Sequence, residues 1–232
     1  MRTLHQTLLL ALLGTGWLPV ACTTGEHREP SLAAADTHVR TWGFEADAPD
    51  AAPAGFSFAR TGSGRPATWV VRRSEDAPEG RNVLVQTDTD DTDYRFPIAV
   101  ADAPELTDLR LSVRGRPVSG VLDQALGLVF RYRDADTYYI ARANVIEDNV
   151  RLYHVTHGER QQIGSWKGTV APGKWHTLAV SARGDHLTVD FDGSTVIELH
   201  DATLPGPGRV GLWTKSDSMT EFDQLRLEPL EP

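Results

Sequence analysis

From about residue 39 onward, short runs of alternating apolar and polar positions follow one another: VRTWGFE, ATWVVRR, NVLVQT, DLRLSVR, LGLVFRYR, TYYIARAN, NVRLYHV, WHTLAVSA, HLTVDF, STVIEL, RVGLWTK and EFDQLRLEPL. A period of two sends successive side chains to opposite faces of a β-strand, so each run predicts a strand with one buried face. No segment keeps a helical period, and no longer repeat unit recurs. Between the runs stand Gly, Asp, Asn and Pro. Asp192-Gly193 predicts a two-residue hairpin turn between HLTVDF and STVIEL, and Gly184-Asp185 predicts another. GSGRP at 62–66, EDAPEG at 75–80 and PGPG at 205–208 read as loops. Many short strands divided by turns, without helices, predict an all-β fold: a two-sheet antiparallel jelly-roll sandwich.

The N-terminal part does not fit this pattern. Arg2, the apolar run Leu8 to Leu13 and Pro19-Val20-Ala21 before Cys22 have the layout of an export signal. The apolar run is too short for a stable membrane span. Residues 1–22 are therefore set apart as a signal peptide, 23–37 (TTGEHREPSLAAADT) as a polar, Ala-rich flexible tether, and 38–232 as the jelly-roll domain. Cys22 is the only cysteine of the 232 residues, so the chain has no intramolecular disulfide. Its position after a small residue resembles the lipobox of bacterial lipoproteins, with Pro19 where an aliphatic residue is usual. The resemblance implies lipidation of Cys22 and a membrane partner through the lipidated N-terminus; the alternative is plain cleavage near Ala21. Both place the protein outside the cytoplasm, as a membrane-anchored lipoprotein or as a periplasmic or extracellular protein.

Charge removes one class of partner. The net charge of −9 lacks the basic footprint that nucleic acid requires.

The order of parts from Gly127 onward adds a family resemblance. G-L-V-F-R-Y-R-D-x-D-x-Y-Y, then G-K-W-H-T-L-x-V, the D-G hairpin, G-R-V-G-L-W-T-K-x-D-S and F-D-Q-L resemble concanavalin/laminin-G-like jelly rolls. They resemble more closely the 3-keto-disaccharide hydrolase-like (glycoside-hydrolase-16-like) domains. The resemblance implies two stacked sheets, one with a concave face that binds a carbohydrate ligand. It also implies an activity: cleavage of a glycosidic bond beside an oxidised sugar carbon. A non-catalytic carbohydrate-binding module and a laminin-G-like adhesion or protein-binding domain remain the alternatives.

Alternation assigns residues to that face. In LGLVFRYR, Leu128, Phe130 and Tyr132 should lie opposite Val129, Arg131 and Arg133. In TYYIARAN, Tyr139, Ala141 and Ala143 suit a core, which leaves Tyr138, Arg142 and Asn144 outward. The expected substrate-binding set is Arg131, Tyr138, Arg142, Asn144, Arg151, Tyr153, Trp213 and Lys215. Sugar rings stack on aromatic faces, and their hydroxyls pair with the fixed donors and acceptors of Arg and Asn. The competing reading is an ordinary solvated sheet face. Arg116 and Arg160 fall in or near loops.

Catalytic carboxylates are less well marked. The Glu-x-Asp-x-Glu strand of the family-16 hydrolases is absent, and Glu147 and Asp148 lie in a turn. If the protein is catalytic, Glu147 or Asp148 is the acid or base, and the arginines hold charge that develops on oxygen. No cofactor is expected, with calcium at the Asp-rich run TDTDDTD (87–93) held open. That run lacks the spacing of an EF-hand loop. His154 and His157 point to opposite faces of one strand, which argues against a shared zinc ion.

Overall fold

The structure, a computed structural model, describes residues 38–231. The expectations for residues 1–37, Cys22 included, lie outside the described residues. Fifteen strands and no helix are described. In chain order they are β1 (Arg40–Trp42), β2 (Phe56–Gly62), β3 (Trp69–Arg73), β4 (Asn82–Gln86), β5 (Arg95–Ala101), β6 (Leu109–Ser119), β7 (Ala125–Asp134) and β8 (Thr137–Asn144). They continue with β9 (Asn149–Thr156), β10 (Glu159–Lys167), β11 (His176–Arg183), β12 (His186–Phe191), β13 (Ser194–His200), β14 (Arg209–Trp213) and β15 (Met219–Pro229).

They form two antiparallel sheets. One runs β13-β12-β11-β6-β15-β4-β3, with β1 also paired to β15; the other runs β10-β9-β8-β7-β14-β5-β2. The jelly-roll sandwich expected from the alternation is what forms. Tyr139, Ala141 and Ala143 do enter the core, with Leu126, Leu128, Leu152 and Leu212 of the same sheet and Leu111, Val113, Leu178, Phe222 and Leu225 of the other. Asp192 (φ 47°) and Gly193 (φ 83°) make the β12–β13 turn with positive φ at both central positions, the conformation that matches the twist of a hairpin.

Three strands were missed by the alternation: β2, β5 and β10. All belong to the second sheet. β5 is buried along its whole length, so it shows no alternation, and Pro97 interrupts it. β10 is an edge strand of mostly polar residues, ERQQIGSWK.

The second sheet is strongly curled. In a flat sheet β10 and β5, five strand spacings apart, would be separated by about 24 Å. Yet Tyr94, just before β5, accepts a hydrogen bond at its hydroxyl from the Arg160 N–H (3.0 Å) and donates to the Gly158 carbonyl (3.0 Å). At the opposite edge, Thr61 of β2 bonds the Tyr138 hydroxyl (2.7 Å). The outward face of this sheet is therefore concave, a hollow bridged by Tyr94 and Thr61 and filled over much of its floor by Phe96, Tyr138, Tyr153 and Trp213.

Candidate functional site

Cross-strand register lines up the outward residues of the curled sheet in rows. Arg151 of β9 faces Arg142 of β8, which faces Gly127 of β7, which faces Trp213 of β14. One row away, Asn149 faces Asn144; one row the other way, Tyr153 faces Ile140. Tyr138, Arg142, Asn144, Arg151, Tyr153 and Trp213 thus share the face that alternation gave them, and Lys215 follows Trp213 to it.

Arg131 does not. β7 carries a bulge here: Tyr132 pairs with Arg209 while Val129 already pairs with Gly211, and Arg131 sits at φ 47°. The extra residue reverses the alternation. Tyr132 joins Val129 and Tyr138 in the outward cluster. Arg131 turns the other way, donating to the carbonyls of Thr107 (3.0 Å), Leu204 (3.3 Å) and Gly184 (2.5 Å), with its guanidinium 5.9 Å from the Tyr139 ring. It ties three loops together.

Arg160 is a second correction. It lies on β10, not in a loop, and its side chain extends over the hollow. Its guanidinium carbon is 4.6 Å from the Phe96 ring centre, 4.5 Å from Tyr153 and 5.9 Å from Trp213. Arg116 is on β6 of the other sheet, bonded to Glu221 and Asp76.

The aromatic residues do not present open rings. Trp213 is fully buried, stacked on Phe96 at 5.4 Å, and Tyr138 is buried beneath it. A Cβ on Gly127 would come within 3.0 Å of the Trp213 ring and 2.9 Å of Ile140, so the ring lies directly on glycine backbone. Trp213 and Tyr138 belong to the packed floor, along with Phe96, Ile98, Val129 and Ile140.

The polar part of the face is built around Glu147. Its Oε2 accepts from Arg142 (3.0 Å), Arg151 (2.9 Å) and Asn149 (3.1 Å). Arg142, 2 % exposed, also donates to Asn149 Oδ1 (2.6 Å) and to the Tyr153 hydroxyl (3.2 Å). The β8–β9 turn presents the carboxylate correctly because Asn144 Oδ1 accepts the Glu147 N–H at 2.8 Å. Burial on its own would raise the Glu147 carboxyl; the Arg142 charge, the Asn149 hydrogen bond and Arg151 outweigh it and bring the pKa down to about 2.

A second carboxylate, Asp123, had no sequence signal because it lies in the β6–β7 turn. Asp217 holds that turn, accepting the N–H groups of Val121, Leu122 and Asp123. Asp123 accepts from Asn144 (2.7 Å) and pairs with Lys215 (3.0 Å), which also reaches Asp93 (3.1 Å). Burial pushes the Asp123 carboxyl up, partly offset by Lys215. Burial opposes the charge on Lys215, but Asp123 and Asp93 hold its pKa above the ordinary lysine value.

Asp148 faces away from this cluster. Its carboxylate accepts the Val170 N–H at 3.1 Å, and its φ of 49° makes it a turn residue. The Asp-rich run is likewise engaged: Asp88 pairs with Arg95 (2.9 Å), Asp90 accepts the Arg65 and Thr92 N–H groups, and Asp93 pairs with Lys215. Among the described residues no three His, Cys, Asp or Glu side chains gather as metal ligands.

Three buried donors around the floor have no partner: Arg142 Nε, Arg151 Nε and Arg160 Nη1. Buried N–H groups without acceptors are uncommon and each costs about 1–3 kcal/mol.

No family model matches the chain, and no curated protein matches it. Solved structures do match. Carbohydrate binding module CBM66 from Bacillus subtilis superposes with a TM-score of 0.61 at 20 % identity, covering 75 % of this chain and 95 % of that one. The fold is that of the lectin-like sandwiches. The exoplasmic/lumenal domain of VIP36, in a form bound to Ca2+ and mannose, gives 0.58 at 11 % identity over 85 % of this chain and 92 % of its own. A protein of unknown function with a galectin-like fold, also from Bacillus subtilis, gives 0.50 at 8 % identity over 75 % and 88 %. These likenesses concern the fold.

Proposed function

We propose that this is an exported protein that binds a carbohydrate in the hollow of the curled sheet, at the cluster around Glu147. The observation that carries the reading is the convergence of Arg142, Arg151, Asn149 and Tyr153 on one partly exposed carboxylate, surrounded by unpartnered buried donors. Rigid guanidinium and amide groups of this kind suit the fixed hydroxyls of a sugar. Neighbours of the same fold include a carbohydrate-binding module and a mannose-bound domain, which supports the reading. NMR titration of the protein with an oligosaccharide panel tests it. Shifts should concentrate at Glu147, Arg151 and Arg160; shifts confined to other surfaces, or none, overturn it.

Binding without catalysis fits the carboxylates best. Glu147, with a pKa near 2, stays ionised and cannot serve as a general acid. Asp123, 2 % exposed, is enclosed by Asn144 and Lys215. The second reading is hydrolysis of 3-keto-disaccharides. It draws on Arg142 and Arg151, cations beside a carboxylate that could hold charge developing on a carbonyl oxygen, with Glu147 as base. Turnover of 3-keto-disaccharides, abolished in Glu147→Gln and absent with the parent disaccharides, would establish that reading. An adhesion or protein-binding role would be favoured by silence across a glycan array.

The proposal includes the anchor. Lipid on Cys22 would tether the domain to a membrane, and stable anchoring takes more than one acyl chain. Mass spectrometry of the mature N-terminus decides this. Cys22→Ser should release the protein; a mature chain starting at another, unmodified residue contradicts it.

A further inference from the structure

The sugar-binding reading leaves the chemical class of the sugar open, and the unspent charge and hydrogen-bonding capacity of the hollow narrow it. We infer that the hollow selects an anionic sugar, one carrying a carboxylate or sulfate group, with Arg160 as the residue that pairs with the anion. This rests on the proposed sugar site.

Three observations carry it. Arg160, unlike the other cations around Glu147 and Asp123, has no carboxylate partner. Arg142 and Arg151 share Glu147, and Lys215 lies between Asp123 and Asp93. Among the described residues nothing acidic lies within ion-pairing distance of the Arg160 guanidinium. It rests instead on the faces of Tyr153, Phe96 and Trp213, and its backbone N–H is fixed by Tyr94. Aromatic faces hold a guanidinium in place and leave its positive charge uncompensated.

The open hydrogen-bonding capacity is also nearly all of one kind. Arg142, Arg151 and Arg160 can only donate; Arg142 is buried, and the half-buried Arg151 and Arg160 are the ones whose guanidinium edges can meet a ligand. The Tyr153 oxygen already accepts from Arg142 (3.2 Å) and Arg151 (3.4 Å), so its own proton is left to donate. Both Asp123 oxygens are taken, by Asn144 and Lys215, and so is Glu147 Oε2. Glu147 Oε1 remains as an acceptor. A neutral sugar presents hydroxyls that must donate as well as accept, and finds few acceptors here. A sugar acid matches better: its anionic oxygens accept from the guanidinium fork, and one hydroxyl donates to Glu147 Oε1.

Charge balance points the same way. The chain carries −9, yet Arg142, Arg151, Arg160 and Lys215 outnumber Glu147, Asp123 and Asp93 in this hollow. Lys167 pairs across from Asn149 at its rim and adds a further cation. Against a protein field that repels anions, a locally positive hollow favours an anionic ligand.

Isothermal titration calorimetry of the full protein tests this with oligogalacturonate, oligoglucuronate, the same oligosaccharides after carboxyl reduction, and a sulfated galactan. The inference expects binding of at least one anionic probe, weaker in higher salt. Carboxyl reduction or Arg160→Gln should then cost that probe about tenfold to a hundredfold in affinity. Arg160→Lys should recover part of the loss, and an unchanged melting temperature in Arg160→Gln separates recognition from folding. Preference for the uronates over the galactan identifies a carboxylate, the reverse a sulfate. Equal binding of the reduced probes, or indifference to Arg160→Gln, overturns the anionic class and leaves the sugar site standing. Failure of every charged and neutral probe overturns both.

Discussion

The two sheets have similar residue types on their outward faces and use them in opposite ways. On β6 of the first sheet, Arg110, Ser112, Arg114 and Arg116 alternate strictly with buried Leu109, Leu111, Val113 and Gly115. Arg110 pairs with Asp190 at 2.9 Å and, on β15, Arg226 with Glu228 at 2.7 Å, each arginine more than 40 % exposed, while Arg116 is held closer in by Glu221. On the second sheet, β5 is buried throughout and β8 nearly so, and Arg142 is 2 % exposed within hydrogen bonds to Asn149, Glu147 and Tyr153. An arginine exposed on a solvated face, such as Arg110, is a solubility device of little energetic weight. Curl the sheet, and the same residue becomes part of a preorganised site. Burial, rather than composition, separates Arg142 from Arg110 and Arg226.

The largest break in that comparison should come from the floor. Trp213→Ala removes a fully buried ring packed on Gly127 and Phe96 and should cost about 3–5 kcal/mol in denaturant unfolding. A loss of under ~1 kcal/mol would mean that the ring is a surface platform after all. Arg142→Ala comes next, at about 2–4 kcal/mol, because it strips a buried network of its main donor and leaves Asn149 and Glu147 short of partners. Its counterpart on the solvated face, Arg110→Ala, should fall within about 0.5 kcal/mol of wild type in the same measurement.

Acid titration sharpens the contrast through signs. Glu147 has its folded pKa lowered from 4.5 to about 2, so its contribution is complete above pH 4.5 and is lost as pH falls toward 2. About 2–3 kcal/mol should disappear over that window in wild type, and little in Glu147→Gln. Asp223, on β15 of the other sheet, behaves in reverse. Burial, opposed by hydrogen bonds from the Glu79 and Gln224 N–H groups, raises it from 3.8 to about 6. Its contribution is complete below pH 3.8 and is lost as pH rises through 6, by about 2–3 kcal/mol. Unfolding curves of Asp223→Asn between pH 4 and 7 should therefore be flatter than those of wild type.

Strand periodicity made the sandwich, the D-G hairpin and most of the outward face legible, because one-sided burial writes itself into the sequence as alternation. It failed where that premise fails. β5 is covered on both faces, so it showed no alternation; β10, an edge strand, is mostly polar, and Arg160 was lost with it. One bulge in β7 sent Arg131 inward. The roles of Trp213 and Asp123 depend on curl and on a loop held by Asp217, neither of which leaves a local pattern. Glu147 and Asp148 are neighbours in one turn, yet only Glu147 meets the arginines.

Arg151 offers the most direct test of the claim that the curled face binds a sugar. Its side chain is 32 % exposed, so its removal should change binding with little effect on folding. Calorimetric titration of wild type, Arg151→Ala and Arg110→Ala with a bound oligosaccharide should show a roughly tenfold to hundredfold weaker affinity for Arg151→Ala alone. Melting temperatures of all three should stay within a few degrees. Equal affinity in the two variants would contradict the account.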